Sequence, residues 1–232
     1  MTRQVPSITV CGSAGRDGIM LFDGLEMLIG AGQWTCLLGP SGVGKSTLLR
    51  LLAGLESHVE FNGIIKTNDG MALAGRVSYM AQSDLLMPWA TIMDNVSLGS
   101  RLRGERPDKE RLHRVIQNVG LGDHAAKRPS QLSGGQRQRA ALARTLMEDT
   151  PVVLLDEPFS ALDARTSFDM QELVAEQLAG RTILLVTHDP GEAVRLCHRI
   201  YVLRQGRVAQ VESLPPPFPK DFTDPDVFAV QN

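Results

Sequence analysis

WTCLLGPSGVGKSTLLRLLAGL, Trp34 to Leu55, runs from an apolar segment through a glycine-rich turn into a helical pattern. Its centre, GPSGVGKST, matches G-x-x-x-x-G-K-[ST] in full across Gly39, Pro40, Ser41, Gly42, Val43, Gly44, Lys45, Ser46 and Thr47. Strand before and helix after is the context that gives this pattern meaning. Glycines let successive backbone N–H groups converge on an anion, and the helix N-terminus adds partial positive charge. The stretch therefore predicts a nucleotide phosphate site, with Lys45 reaching the β- and γ-phosphates and the Ser46 hydroxyl a ligand for Mg²⁺.

Two more apolar runs share the character of Trp34–Gly39. VVLLDE (Val152 to Glu157) ends in two carboxylates, and TILLVTH (Thr182 to His188) ends in a histidine. Unbroken apolar runs suit a parallel sheet covered on both faces, and ligands of such sheets collect at the strands' carboxyl ends. Asp156 is expected to hold Mg²⁺, and Glu157 to polarise the attacking water as general base. His188 could donate to the γ-phosphate. Gln82, after RVSYMA, is a further candidate for orienting water and sensing the metal.

Helices are expected over Ser46–Leu55 and Phe168–Gly180, and a hairpin around Gln205-Gly206 within Ile200–Glu212. Between Ser83 and Thr150 helical segments predominate, which marks a helical insertion in an α/β core. The division is thus 1–82 and 151–212 for the nucleotide-binding core with its β subdomain, 83–150 for the helical subdomain, and 213–232 for a proline-rich, extended tail. Within the insertion, QLSGGQRQRAALA (Gln131 to Ala143) is a second glycine pair opening a helix, hence a second candidate anion site.

Composition bounds the rest. The chain has 232 residues, 43% hydrophobic, enough for a sizeable core. A net charge of -2 offers no basic field for nucleic acid, and the basic stretch Arg101–Arg114 is interleaved with acids. The three cysteines form no CxxC pair, which suits a reducing compartment and argues against a disulfide framework or zinc site. No run approaches the ~20 apolar residues of a membrane span. A cytoplasmic protein is expected.

The glycine loop, Gln82, LSGGQ (Leu132–Gln136), LLDEP (Leu154–Pro158), SALD (Ser160–Asp163) and His188 follow one another as in the ATP-binding cassette (ABC) transporter ATPases, which this chain resembles from Gly39 to His188. The resemblance implies an α/β fold of P-loop NTPase type: a RecA-like parallel-sheet core, an antiparallel β subdomain and an inserted helical subdomain carrying LSGGQ. It implies ATP and Mg²⁺ as ligands, with Ser46, Gln82 and Asp156 around the metal and Glu157, His188, Gln82 and Lys45 as the catalytic set. It further implies a homodimer or paired subunit. Ser133, Gly134, Gly135 and Gln136 would close over ATP held by the opposite subunit, and Asp163 would link the two sites.

The form SDLLMPWATIMDNV (Ser83–Val96) and the end PPPFP look like importers of the nitrate, sulfonate, taurine and thiamine-precursor group. A membrane permease and, indirectly, a solute-binding protein are then partners, with the ATPase peripheral on the cytoplasmic side. Leu85, Leu86, Met87 and Trp89 would line a groove for the permease, or pack the subdomain core. One departure stands out. The family's adenine-stacking aromatic, about 25–30 positions before the lysine, has no counterpart in Cys11–Leu21. Phe22 either substitutes or is core. The competing classes are a soluble ABC ATPase in assembly or repair, a stand-alone P-loop kinase or GTPase, and a non-hydrolysing homologue. LSGGQ, SALD and His188 together disfavour the second, and intact Lys45, Asp156 and Glu157 the third.

Overall fold

The computed structural model describes residues 5–55, 58–211 and 218–220. Two compact units divide the chain: Met1–Tyr79 with Thr150–Glu157 and Ala179–Asn232, and Met80–Asp149 with Pro158–Leu178. The second unit thus includes 158–178, a segment the sequence grouped with the α/β core. The expected proline-rich tail, 213–232, lies outside the described residues except at 218–220.

The first unit holds two sheets. β1 (Ile8–Arg16), β2 (Ile19–Ile29) and β4 (Glu60–Thr67) form an antiparallel sheet in the order β2-β1-β4. The six-stranded sheet runs β5-β6-β7-β3-β8-β9. Its members are β3 (Trp34–Leu38), β5 (Val77–Met80), β6 (Val152–Asp156), β7 (Thr182–Thr187), β8 (Arg199–Arg204) and β9 (Arg207–Val211). β6, β7, β3 and β8 are parallel neighbours, and every residue of β6 and β7 is buried. That total burial is why these strands read as continuous apolar runs rather than alternating ones. β8 and β9 pair antiparallel through Gln205 and Gly206, both at positive φ (51° and 75°). A two-residue loop with that handedness matches the twist of the strands it joins.

α1 (Lys45–Leu52) follows the glycine loop and buries Leu48, Leu49 and Leu52 in one cluster with Leu37, Val152, Leu154, Leu184 and Val186. The same core contains Phe22, fully buried. α7 (Pro190–Leu196) starts at Asp189, whose side chain accepts from the Gly191 N–H.

The second unit is helical. α2 (Ile92–Val96), α3 (Leu98–Leu102), α4 (Lys109–Asn118), α5 (Gly134–Met147) and α6 (Ala164–Gln177) carry it, with short 3₁₀ turns at Gly122–His124 and Pro129–Gln131. α2 and α4 pack on α5, and Ile92, Val96, Leu112, Val115, Ile116 and Ala140–Ala143 are buried. α6 begins four residues before the expected Phe168. Asp163 caps it by accepting from the Thr166 N–H at 3.0 Å, so the first turn needs no apolar periodicity to form. Among the described residues no helix is long and apolar enough to cross a membrane.

Candidate active site

In the first unit the glycine loop links the end of β3 to α1. Gly42 and Gly44 sit at φ 79° and 106°, a region that costs side-chain-bearing residues strain, and Gly44 is the residue from which α1 starts. A Cβ on Gly39 would lie 2.5 Å from the Leu203 carbonyl, so the loop leaves β3 by a path open only to glycine. Lys45 turns back into this loop. Its Nζ donates to the carbonyls of Gly39 (2.7 Å) and Pro40 (2.8 Å), and the residue is only 4% exposed. Burial lowers its affinity for its proton, while the nearby Glu157 and Asp156 carboxylates work the other way. The ammonium is thus held where an incoming phosphate can replace two backbone carbonyls as its partner.

Asp156 closes β6. Its Oδ1 accepts from the Ser46 hydroxyl at 3.0 Å and its Oδ2 from the Tyr79 phenol at 3.3 Å. At 2% exposure, burial raises its pKa against the pull of those two hydrogen bonds. Burial and the adjacent carboxylate also push the Tyr79 phenol up to about 12, so it remains a donor. Ser46 and Asp156 together make a pair of hard oxygen donors of the kind a small divalent cation takes.

Glu157 follows with φ at +48°, an uncommon conformation for a residue with a side chain. The left-handed turn ends the strand at once, although the Glu157 N–H still reaches the Val186 carbonyl at 2.9 Å. Two neighbouring carboxylates therefore serve different partners. Asp156 meets Ser46, whereas an Oε atom of the buried Glu157 lies 3.2 Å from Nδ1 of the exposed His188. Backbone strain of this size, about 1–3 kcal/mol, is retained typically where function needs the geometry. Lys45, Ser46, Asp156, Glu157 and His188 thus converge within one unit.

The remaining expected residues belong to the second unit. Gln82 is exposed. Ser133 is the N-cap of α5 in a reciprocal box: its Oγ accepts from the Gln136 N–H at 3.2 Å and its N–H donates to Gln136 Oε1 at 2.9 Å. Gln136 Nε2 also lies 3.0 Å from a ring nitrogen of His124. Ser133 and Gly134 are exposed, as is Asp163. Leu86 is buried at 7% exposure, whereas Leu85 and Trp89 are 59% and 72% exposed and Met87 is half-buried. The buried Asn95 fixes this loop, with Oδ1 accepting from the Met87 N–H (2.7 Å) and Nδ2 donating to the Thr91 carbonyl (2.9 Å). Arg144 donates to the carbonyls of Asp84 and Leu85 at 2.8 and 2.9 Å. Phe22 is core, while Ile19 and Met20 at the start of β2 are exposed.

Several participants escaped the sequence reading. Tyr79 carried no signal beyond a strand position. Glu192 is buried on α7 and accepts from the Thr187 hydroxyl at 2.6 Å, one residue before His188. Burial pushes its carboxyl up to about 7.

A glycine cradle with an inward-turned lysine, followed by two strand-end carboxylates with separate partners, defines a P-loop nucleoside-triphosphate hydrolase. The family model for "ABC transporter" matches residues 22–160. An "Uncharacterized ABC transporter ATP-binding protein" of Haemophilus influenzae is 46% identical over 84% of this chain and 80% of its own length. An "Aliphatic sulfonates import ATP-binding protein SsuB 2" of Agrobacterium fabrum is 44% identical, over 84% and 74%. Among solved structures, a dimeric post-hydrolysis state of the ATP-binding cassette MJ0796 bound to ADP and Pi superposes with a TM-score of 0.79 at 28% identity. It covers 90% of this chain and 99% of that one. The chain belongs to the ABC transporter family, as its ATP-binding and ATP-hydrolysing subunit.

Proposed function

We propose that two copies of this chain, or this chain and a paired ATPase, sandwich two ATP molecules head to tail and power import of a small solute through a membrane permease. The observation that carries the proposal is the contrast between a cluster built on buried Lys45, Asp156 and Glu157, with half-buried Ser46 and exposed His188 at its edge, and an exposed LSGGQ helix start. In the loop Gly39–Thr47, backbone N–H groups and Lys45 hold the phosphates. Ser46 and Asp156 hold Mg²⁺, which neutralises phosphate charge when bound, and Gln82 joins them by its place in the family pattern. Glu157 takes the proton of the attacking water, and His188, oriented by Glu157, donates toward the γ-phosphate. From the partner, Ser133, Gly134, Gly135 and Gln136 close over the same ATP with helix-start N–H groups, and Asp163 lies at the joint between sites. Loss of the γ-phosphate releases the closure.

Leu85 and Trp89, exposed on a loop held by Asn95 and Arg144, offer the permease an apolar face, with Met87 partly behind them and Leu86 as support. The relatives named for aliphatic sulfonate import favour a small organic oxoanion as cargo, delivered by a solute-binding protein. The test is Ser133→Arg, which puts a bulky cation where the partner's ATP would sit. Binding of ATP to Gly39–Thr47 should survive, while hydrolysis and ATP-driven pairing disappear. Undiminished hydrolysis would refute the shared site.

A further inference from the structure

Gln138 stands on the second turn of α5, just after LSGGQ, in a helix whose following residues Ala140–Ala143 are buried. It is itself only 5% exposed. A buried primary amide is tolerated where its oxygen and nitrogen find partners. Two of its hydrogen bonds go to the SALD segment. Oε1 accepts from the Ala161 N–H at 2.7 Å, and Nε2 donates to the Ser160 hydroxyl at 3.3 Å.

A second contact ties the same two segments. A Cβ placed on Gly135 would lie 3.1 Å from the Ala161 carbonyl and 3.4 Å from the Leu162 side chain, so the first turn of α5 and the SALD backbone approach closely. The segment also makes hydrogen bonds within itself and at its far end. The Leu162 N–H donates to the Phe159 carbonyl at 3.0 Å, and Asp163 is engaged in capping α6 through Thr166. Ser160, Ala161 and Asp163 are all exposed.

We propose that Gln138 is a positioning residue that locks the Ser160–Asp163 segment to the start of α5, so that Ser133, Gly135, Gln136 and Asp163 meet the partner as one rigid surface. The inference rests on the shared-site reading above. Gln138 touches neither ATP nor the reacting atoms. It acts by holding two recognition segments in a fixed relation, and such misplacement at a distance typically costs catalysis rather than ground-state binding.

The experiment compares Gln138→Leu, Gln138→Glu and Ser160→Ala in the full chain. The readouts are the affinity of the isolated chain for a fluorescent ATP analogue, kcat, and the Hill coefficient of hydrolysis. Gln138→Leu should leave analogue affinity within about 2-fold, lower kcat by about 10-fold or more, and bring the Hill coefficient to about 1. Gln138→Glu keeps an acceptor for the Ala161 N–H and should recover most of the loss, and Ser160→Ala, which removes the longer bond, should change little. If Gln138→Leu does not fold, Ala161→Pro deletes the same donor from the exposed side and should give the same split. Unchanged kcat in Gln138→Leu or Ala161→Pro, or kcat and analogue affinity falling together, overturns the inference. Ser133→Arg keeps the two failures apart: hydrolysis there defeats the shared site, whereas a dead Ser133→Arg beside a normal Gln138→Leu defeats only the lock.

Discussion

The two glycine-bearing helix starts of this chain, before α1 and at α5, differ in almost everything else. The loop before α1 is backed by Lys45, Asp156 and Glu157, exposed by 4%, 2% and 7%, in a nest of charge that burial has made costly. The start of α5 carries Ser133 and Gly134 in the open, its polar side chains satisfied by capping one another. The buried charges offset one another only in part, since burial still lowers the hold of Lys45 on its proton, whereas the helix start of α5 caps itself. On the proposed reading the first loop binds and reacts, and the second is offered to a nucleotide already bound by the partner.

The largest expected effect lies on the buried side. Glu157→Gln keeps the size of the side chain and removes the proton acceptor, so kcat should fall by roughly 10²–10⁴-fold while ATP binding persists. Steady-state turnover beside equilibrium nucleotide binding checks this, and near-normal turnover would take the base role away from Glu157. Phe22→Ala sharpens the comparison next. Because Phe22 is fully buried in the core, the change should lower stability by about 3–5 kcal/mol. Denaturant unfolding measures that loss. An altered ATP-to-GTP preference at unchanged stability would restore the stacking role.

The smallest effect concerns the support behind His188. The Glu192 carboxyl is raised from 4.5 to about 7, so between those values the folded chain keeps a proton that the unfolded chain has released. Stability from this group is therefore fully present below about pH 4.5 and lost as pH rises through about 7. Glu192→Gln lacks this dependence. The Tm advantage of the variant over the parent should grow from pH 5 to pH 8, by an amount on the order of 2–3 kcal/mol in stability. A pH-independent difference would mean that Glu192 is ionised throughout.

The first loop was legible because its chemistry is local. One contiguous stretch supplies strand, turn, lysine and helix, and the fully buried β6 and β7 announce themselves as unbroken apolar runs that end in their functional residues. The open helix start was legible as a motif, yet its supports were not. Gln138 and Tyr79 are ordinary polar residues whose partners lie 23 and 77 positions away, and spacing along the chain does not disclose such pairings. The same holds for Leu85 and Leu86. Adjacent leucines read alike, but a positive φ of 46° at Leu85 turns it outward while Leu86 goes in. The start of α6 was missed for a related reason, since Asp163 begins the helix by capping and not by apolar periodicity.

Mixing two inactive variants tests the central claim most directly. Lys45→Ala destroys the buried half-site and spares the open one, and Ser133→Arg does the reverse. Each alone should be without ATPase activity. Combined in equal amounts, they should form mixed pairs with one intact shared site each, restoring about a quarter of the parent activity for random pairing and up to about half where only mixed pairs form. A mixture as inactive as its components would contradict the account of two half-sites completed only by a second copy.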